Sequence, residues 1–229
     1  MAKIKKLVAL GCSYTYGHGL PDCWNPQRQT AGTEPSQMSW PNNLARELAI
    51  PETVNLSNPG SSTKYALHTL ANFSHLDKNC LVTIMYPSHT RSFKIPYNGD
   101  HFQGHNPAGT ITKTQLYHYW KLYNELDALG TQFLYAEYLK SYVLEKTGRP
   151  LLPIIMSYTP DEQNYKTLHP HLQGLPYAKR YFENVINLSV RGDMGIDNWP
   201  LAQDKAHPGI QWHTSVAKFV AEVYKKRWM

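Results

Sequence analysis

Apolar residues occur in this chain as short continuous runs set between stretches of helical periodicity. Leu7-Val8-Ala9-Leu10, ended by Gly11, is the pattern of a strand buried on both faces of a parallel sheet. Further strands are predicted over 54–56, closed by Asn58-Pro59-Gly60, over 80–86, over 151–156 and over 185–188. A helix is predicted to start near Ser39, which caps Trp40 and Pro41, with Leu44, Ala45 and Leu48 as its apolar stripe. Ser61 or Ser62 caps a second helix that runs to about Phe73. Over 114–146 Leu116, Tyr123, Leu129, Phe133 and Val143 recur at helical spacing, with Gly130 as a break between two helices. A closing helix over 215–227 is built on Val216, Phe219, Val220 and Val223. Strands alternating with helices imply a three-layer α/β/α sandwich around a central, mostly parallel five-stranded sheet. Residues 17–38 show no periodicity, and 87–112 form a long connection rich in Gly, Pro, His and Asn, read as a lid or specificity loop.

Length and composition narrow the class. At 229 residues and 41% hydrophobic the chain buries one sizeable core, so 1–229 is expected to be a single domain. The formal charge is +6, but the 23 Lys and Arg are scattered. Their only clusters, Lys3, Lys5 and Lys6 and then Lys225, Lys226 and Arg227, read as solvated chain ends, so no nucleic-acid partner is expected. Cys12, Cys23 and Cys80 are odd in number and unrelated in spacing, which suggests neither a disulfide framework nor a Cys-rich metal site and favours a reduced compartment. Lys3, Lys5 and Lys6 before the first apolar run imitate a secretory signal, but that run falls short of the roughly 7 to 15 residues required. No stretch approaches the roughly 18 apolar residues of a membrane span. The expectation is a soluble, unexported protein, cytoplasmic or virus-associated, with no membrane partner.

Candidate chemistry lies at two places far apart in sequence. Ser13 follows the first strand, and Asp204-Lys205-Ala206-His207-Pro208-Gly209 precedes the last helix. A Ser hydroxyl attacks an ester only when a neutral imidazole takes its proton, and the imidazole needs a carboxylate to fix its tautomer. Ser13, His207 and Asp204 are the candidates for nucleophile, base and orienting carboxylate. In open α/β sheets ligands bind beyond the carboxyl ends of the strands, where Ser13, Gly60 and the segment after the third strand would gather. The G-x-S-x-G elbow of the larger α/β hydrolases does not fit, because Thr15 stands at its last Gly position.

The blocks Gly11-Cys12-Ser13-Tyr14-Thr15-Tyr16-Gly17, Asn55-Leu56-Ser57-Asn58-Pro59-Gly60-Ser61-Ser62 and Asp204-Lys205-Ala206-His207-Pro208, in this order beside these strands, resemble those of the SGNH or GDSL hydrolases. Ser39-Trp40-Pro41 and the helix after it resemble that family's first helix, so the likeness spans nearly the whole chain. The resemblance implies an oxyanion hole from the backbone N–H groups of Ser13 and Gly60. Two departures stand out. Cys12 replaces the usual Asp and is read as a core residue. The family's Gly-x-Asn-Asp block is absent, and Tyr86-Pro87-Ser88-His89-Thr90-Arg91 stands in its place. Loss of one oxyanion donor costs about 10² to 10³ in rate, and Ser88 or Thr90 either replaces it or merely turns the chain. Arg91 either clamps an anionic group or forms a surface ion pair. The Gly-Cys-Ser block with the aromatic-Pro-Ser-x-x-Arg segment is similar to SGNH-hydrolase-like proteins of bacteriophages, which implies an acylated or acetylated glycan as substrate.

The expected activity is hydrolysis of small acyl esters through an acyl-enzyme, with no metal or organic cofactor and with Tyr14, Arg91 and Trp199 as substrate contacts. A module that keeps the fold without turnover, binding a glycan or a partner, is the rival from another class, and acyl transfer to a sugar hydroxyl uses the same triad. His169 and His171 are read as solvent-loop residues and not as metal ligands. His213 lies beside the expected start of the last helix, where its role is open.

Overall fold

The computed structural model describes residues 3–87, 92–94, 103–105, 125–156, 181, 184–188 and 198–229. Its centre is β1 (Lys6–Leu10), whose Leu7, Val8, Ala9 and Leu10 are wholly buried. β1 pairs in parallel on both edges, with β4 (Glu52–Asn55) through Val8↔Val54 and with β5 (Cys80–Met85) through Val8↔Val82. β8 (Leu152–Ile155) and β9 (Ile186–Asn187) continue the sheet, giving the five-strand order β4-β1-β5-β8-β9 with every pair parallel. Chain order reverses between β1 and β5, which is the switch point where doubly wound sheets open a crevice at their carboxyl ends.

Period-two alternation divides the core into two layers. Leu7, Leu81, Met85, Leu152 and Ile154 face α2 (Trp40–Glu47) and α5 (Ile210–Trp228), meeting Trp40, Leu44, Trp212, Val216 and Val220. Val8, Leu10, Val82, Ile84 and Ile155 face α3 (Thr63–Ala71) and α4 (Glu125–Thr147), meeting Ala66, Leu70, Phe133, Leu139 and Val143. The three-layer sandwich expected from the sequence is therefore the observed architecture. Two short antiparallel pairs lie outside the sheet: β2 (Trp24–Asn25) with β3 (Thr30–Ala31), and β6 (Ser92–Lys94) with β7 (Gln103–His105). The second pair belongs to the long 87–112 connection, the rest of which falls largely outside the described residues. No helix among the described residues is long and apolar enough to cross a membrane.

Three local expectations change. Gly130 does not break a helix: α4 runs through it, and a Cβ added there would meet nothing within 4 Å. A solvent-side Gly weakens a helix by only about 1 kcal/mol, which the burial of Phe133, Ala136, Leu139 and Val143 on its inner face outweighs. Residues 114–124 lie outside the described residues. The closing helix starts at Ile210, five residues before the predicted start, because extended Gly209 is its N-cap and Trp212 already belongs to its buried stripe. Ser62 caps α3 by accepting from the Tyr65 N–H at 3.3 Å, but Ser39 does not cap α2 with its side chain. The Ser39 hydroxyl donates to the Ser36 carbonyl at 2.6 Å, and the Trp40 N–H donates to His213 Nδ1 at 3.1 Å.

His213 thus acts as the acceptor for a free N–H at the start of α2 while belonging to the first turn of α5, tying two elements 173 residues apart. It is fully buried, and burial, helped by the nearby His207, pushes its imidazole from the ordinary 6.5 down to about 3. The folded chain keeps this ring neutral while the unfolded chain protonates it below about pH 6.5, so stability falls as pH falls from about 6.5 toward 3. Relative to His213→Asn, which retains an acceptor for Trp40 without a titrating ring, the wild type should lose an extra ~1 kcal/mol per pH unit between about pH 6 and 4. Urea denaturation at several pH values measures this, and parallel stability curves for the two proteins would refute it.

Candidate active site

The end of β1 is shaped by Gly11, whose φ is +149°. A Cβ there would lie 2.1 Å from Thr15 Oγ1 and 3.0 Å from the Met85 carbonyl, so only Gly lets the chain turn. The turn leads into α1 (Ser13–Tyr16), in which the Thr15 and Tyr16 N–H groups donate to the Cys12 carbonyl and those of Gly17 and His18 donate to the Ser13 carbonyl. Ser13 is the first residue of this single turn and is 5% exposed. Cys12 is buried and free, in keeping with the core role read for it.

The loop after β4 is tied to this turn. Asn55 Nδ2 donates to the Thr15 carbonyl at 2.9 Å, and the Gly11 carbonyl accepts from Ser61 Oγ at 2.5 Å and from the Asn58 N–H at 3.3 Å. Gly60 lies between Asn58 and Ser61, with φ +79°, in the segment so held.

The third component is the loop before α5, closed by the Leu201↔Pro208 bridge and by the Ala202 N–H donating to the His207 carbonyl at 2.8 Å. Asp204 Oδ1 accepts from the N–H groups of Ala206 (3.1 Å) and His207 (3.0 Å), while Oδ2 lies 2.5 Å from His207 Nδ1. The Gln203 N–H donates to the Gly19 carbonyl at 2.9 Å, which brings this loop against the loop after α1. Gly19 has φ +86°, and a Cβ there would stand 2.6 Å from the Asp204 carboxylate. The carboxylate therefore occupies space that any other residue at 19 would fill.

Asp204 is nearly closed off, its side chain 5% exposed, whereas His207 keeps 20%. Burial raises the Asp204 pKa, but the hydrogen bonds from the Ala206 and His207 N–H groups and from the His207 ring outweigh it and hold the carboxyl below its ordinary value. The His207 ring lies 5.4 Å from that of Tyr14, the neighbour of Ser13, and stacks on that of His18 at 4.6 Å and 28°. His18 Nε2 is 3.8 Å from Asp204 Oδ2. Burial, then the neighbouring His207, lowers the His18 pKa, with Asp204 opposing.

Ser13, Tyr14, Gly60, Asp204 and His207 thus come together from three loops at the carboxyl edge of β1 and β4 and the start of α5. No hydrogen bond joins the Ser13 hydroxyl to His207 among the described residues. Trp199 is half-buried and packs against the core layer of α2 and α5. Ser88, Thr90, Arg91, His169 and His171 lie outside the described residues. Sequence reasoning missed His18, which sits in the stretch read as unpatterned. Its signal was its setting, Gly17-His18-Gly19, five residues after Ser13. With Asp204 and His207 it forms a set of metal-ligating groups whose ligand atoms lie within 4.8 Å of one another.

No protein-family model matches the chain, and no curated protein sequence matches it. Solved structures do. A carbohydrate esterase whose active site is described as displaying divergent catalytic and non-catalytic binding functions aligns at TM-score 0.52 and 13% identity, over 100% of this chain and 67% of that one. An extracellular lipase from Streptomyces rimosus aligns at 0.52 and 12%, over 98% and 99%. An acetyl xylan esterase from the rumen bacterium Butyrivibrio proteoclasticus aligns at 0.50 and 12%, over 99% and 64%. These alignments, with the all-parallel β4-β1-β5-β8-β9 sheet, establish that the chain has the SGNH-hydrolase fold.

Proposed function

We propose that the chain is a serine esterase that hydrolyses small acyl esters, with Ser13 as nucleophile, His207 as base and Asp204 as the carboxylate that orients it. The observation that carries this reading is the 2.5 Å contact between Asp204 Oδ2 and His207 Nδ1, made by a carboxylate that two backbone N–H groups already fix in place. That contact occupies Nδ1 and leaves Nε2 as the nitrogen able to take a proton.

Ser13 Oγ attacks the ester carbonyl carbon as its proton passes to His207 Nε2. The tetrahedral oxyanion is met by the N–H groups of Ser13 and Gly60, and Ser88 is the candidate for a third donor. Collapse expels the alcohol, which takes the proton from Nε2 and leaves an acyl-Ser13. Water, deprotonated by the same nitrogen, then releases the acid. Asp204, ionised well below neutral pH, stabilises the imidazolium of each step. The hydrogen bond from Ser13 to His207 Nε2 forms when substrate binds, since catalytic hydrogen bonds are commonly completed only in the substrate complex. An acetylated carbohydrate as substrate is supported by the carbohydrate esterase and acetyl xylan esterase among the structural neighbours. Tyr14 beside His207, with Arg91 and Trp199, supplies the candidate substrate contacts. The three free, buried cysteines support a reduced setting, cytoplasmic or virus-associated.

The second reading, a carbohydrate-binding module of the same fold without turnover, is favoured by the missing hydrogen bond between Ser13 and His207. A fluorophosphonate probe separates the two: the esterase labels at Ser13, and a binding module stays unlabelled and keeps its ligand after Ser13→Ala. On p-nitrophenyl acetate, Ser13→Ala should lower turnover by at least about 10³ and Asp204→Asn by about 10⁴. Equal rates for wild type and Ser13→Ala would end the assignment. Gly19→Ala, which strains a left-handed backbone and pushes on Asp204, should lower turnover and cost about 1–3 kcal/mol of stability. Denaturant unfolding beside the turnover assay measures both effects, and a Gly19→Ala protein as stable and active as wild type would show that the carboxylate does not depend on this gap.

A further inference from the structure

We propose that His18, Asp204 and His207 form a binding site for a single Zn²⁺ ion, and that occupancy of this site and use of His207 as a base exclude each other. The donor set is two imidazoles and one carboxylate, a combination that suits zinc among the divalent ions. Its ligand atoms already lie within 4.8 Å of one another. Asp204 Oδ2 is the common point, 2.5 Å from His207 Nδ1 and 3.8 Å from His18 Nε2. Zinc bonds of about 2.0–2.2 Å in tetrahedral array require the first separation to open and the second to close.

The surroundings favour the same site. Asp204 Oδ1 is held by the Ala206 and His207 N–H groups, so the carboxylate presents Oδ2 in a fixed direction, the outer-shell support that metal ligands commonly have. Gly19 leaves the carboxylate its space. The rings are stacked and each keeps about a fifth of its side chain exposed, 21% for His18 and 20% for His207, so an ion and a fourth ligand, water, have a way in.

The consequence for chemistry follows from proton placement. Zn²⁺ bound to Nδ1 takes the lone pair of that nitrogen, so the proton that Nδ1 carried toward Asp204 moves through solvent to Nε2. A neutral imidazole protonated at Nε2 cannot accept the proton of Ser13. The metal also takes up Asp204 Oδ2, removing the orienting contact in the same event. Inhibition of hydrolysis by Zn²⁺ therefore rests on the serine-esterase reading, whereas binding of the metal does not.

The test titrates the full chain with Co²⁺, whose visible absorption intensifies in four-coordinate sites, and with Zn²⁺ by calorimetry. Wild type should bind one equivalent saturably, with the intense cobalt band displaced by zinc. His18→Phe, which keeps a ring between His207 and Trp24, should bind at least about 10-fold more weakly. Ser13→Ala should bind as wild type does while losing turnover. If His18→Phe fails to fold, imidazole nitrogen resonances of the wild type decide: those of His18 and His207 must shift together on zinc addition. No saturable binding, unchanged affinity in His18→Phe, or shifts confined to other histidines would each overturn the site. Zinc should halve p-nitrophenyl acetate turnover at the concentration that half-saturates binding, and full turnover at saturating zinc would overturn the exclusion. Zinc binding by a wild type that has no turnover leaves the site standing and removes the esterase reading instead.

Discussion

The carboxyl end of β1 has to satisfy its backbone polar groups without a further strand residue to do so, and the rest of the site depends on how it does. β1 is buried on both faces and paired on both edges, so an unpaired carbonyl just beyond Leu10 would carry a full desolvation penalty, about 1–3 kcal/mol. The chain resolves this in two steps. The Gly11 carbonyl accepts from Ser61 Oγ and the Asn58 N–H, and the Cys12 carbonyl accepts from the N–H groups of Thr15 and Tyr16. The first step binds the β4 loop to the β1 loop, and the second winds the chain into α1. Ser13 and Gly60 are brought to the same place by this satisfaction of buried backbone groups.

A similar economy holds for charge. Asp204 is the nearly closed-off carboxylate of the site, and its ionised form is kept by donors that belong to its own turn, the Ala206 and His207 N–H groups, and by the His207 ring. Among the described residues two other imidazoles near His207 are pushed toward neutrality, His18 and His213, chiefly by burial and further by His207 itself. His213 gives its lone pair to the Trp40 N–H and so belongs to the framework, while His18 faces the carboxylate and belongs to the site. Identical side chains within one small region thus divide into a helix-capping role and a ligand role according to which partner reaches them first.

The inner strands β1, β5 and β8 were legible in the sequence because they are short apolar runs, and a strand buried on both faces has few other ways to read. The triad candidates were legible because each lies beside a strand end or a helix start. His18, Gly19 and the capping role of His213 were not legible, and for one reason. Each depends on a contact between segments far apart in sequence: Gly19 matters because Asp204 fills the space a Cβ would need, and His213 matters because α5 crosses the start of α2. Ser39 shows the converse case. Its local signal for a helix start was correct, yet its hydroxyl turned to Ser36 once a distant imidazole had taken the Trp40 N–H. Gly130 was misread because Gly disfavours helix only weakly, and a long buried face on α4 overrides it.

The site also separates what the fold supplies from what the chemistry demands. Structures only 12–13% identical to this chain align over 98–100% of it, because a fold depends on which positions are buried and where the backbone turns, and many side chains meet that requirement. The Asp204 and His207 contact has no such latitude: its 2.5 Å separation needs the Asx-type turn at 204–207, the bridge at Leu201 and Pro208, and the gap at Gly19 together. One carboxylate oxygen serves either a shared proton or a metal, and the same lone pair on Nδ1 decides which. The geometry that fixes the tautomer of His207 is therefore the geometry that offers the ion its ligands, and a change that loosens one loosens the other.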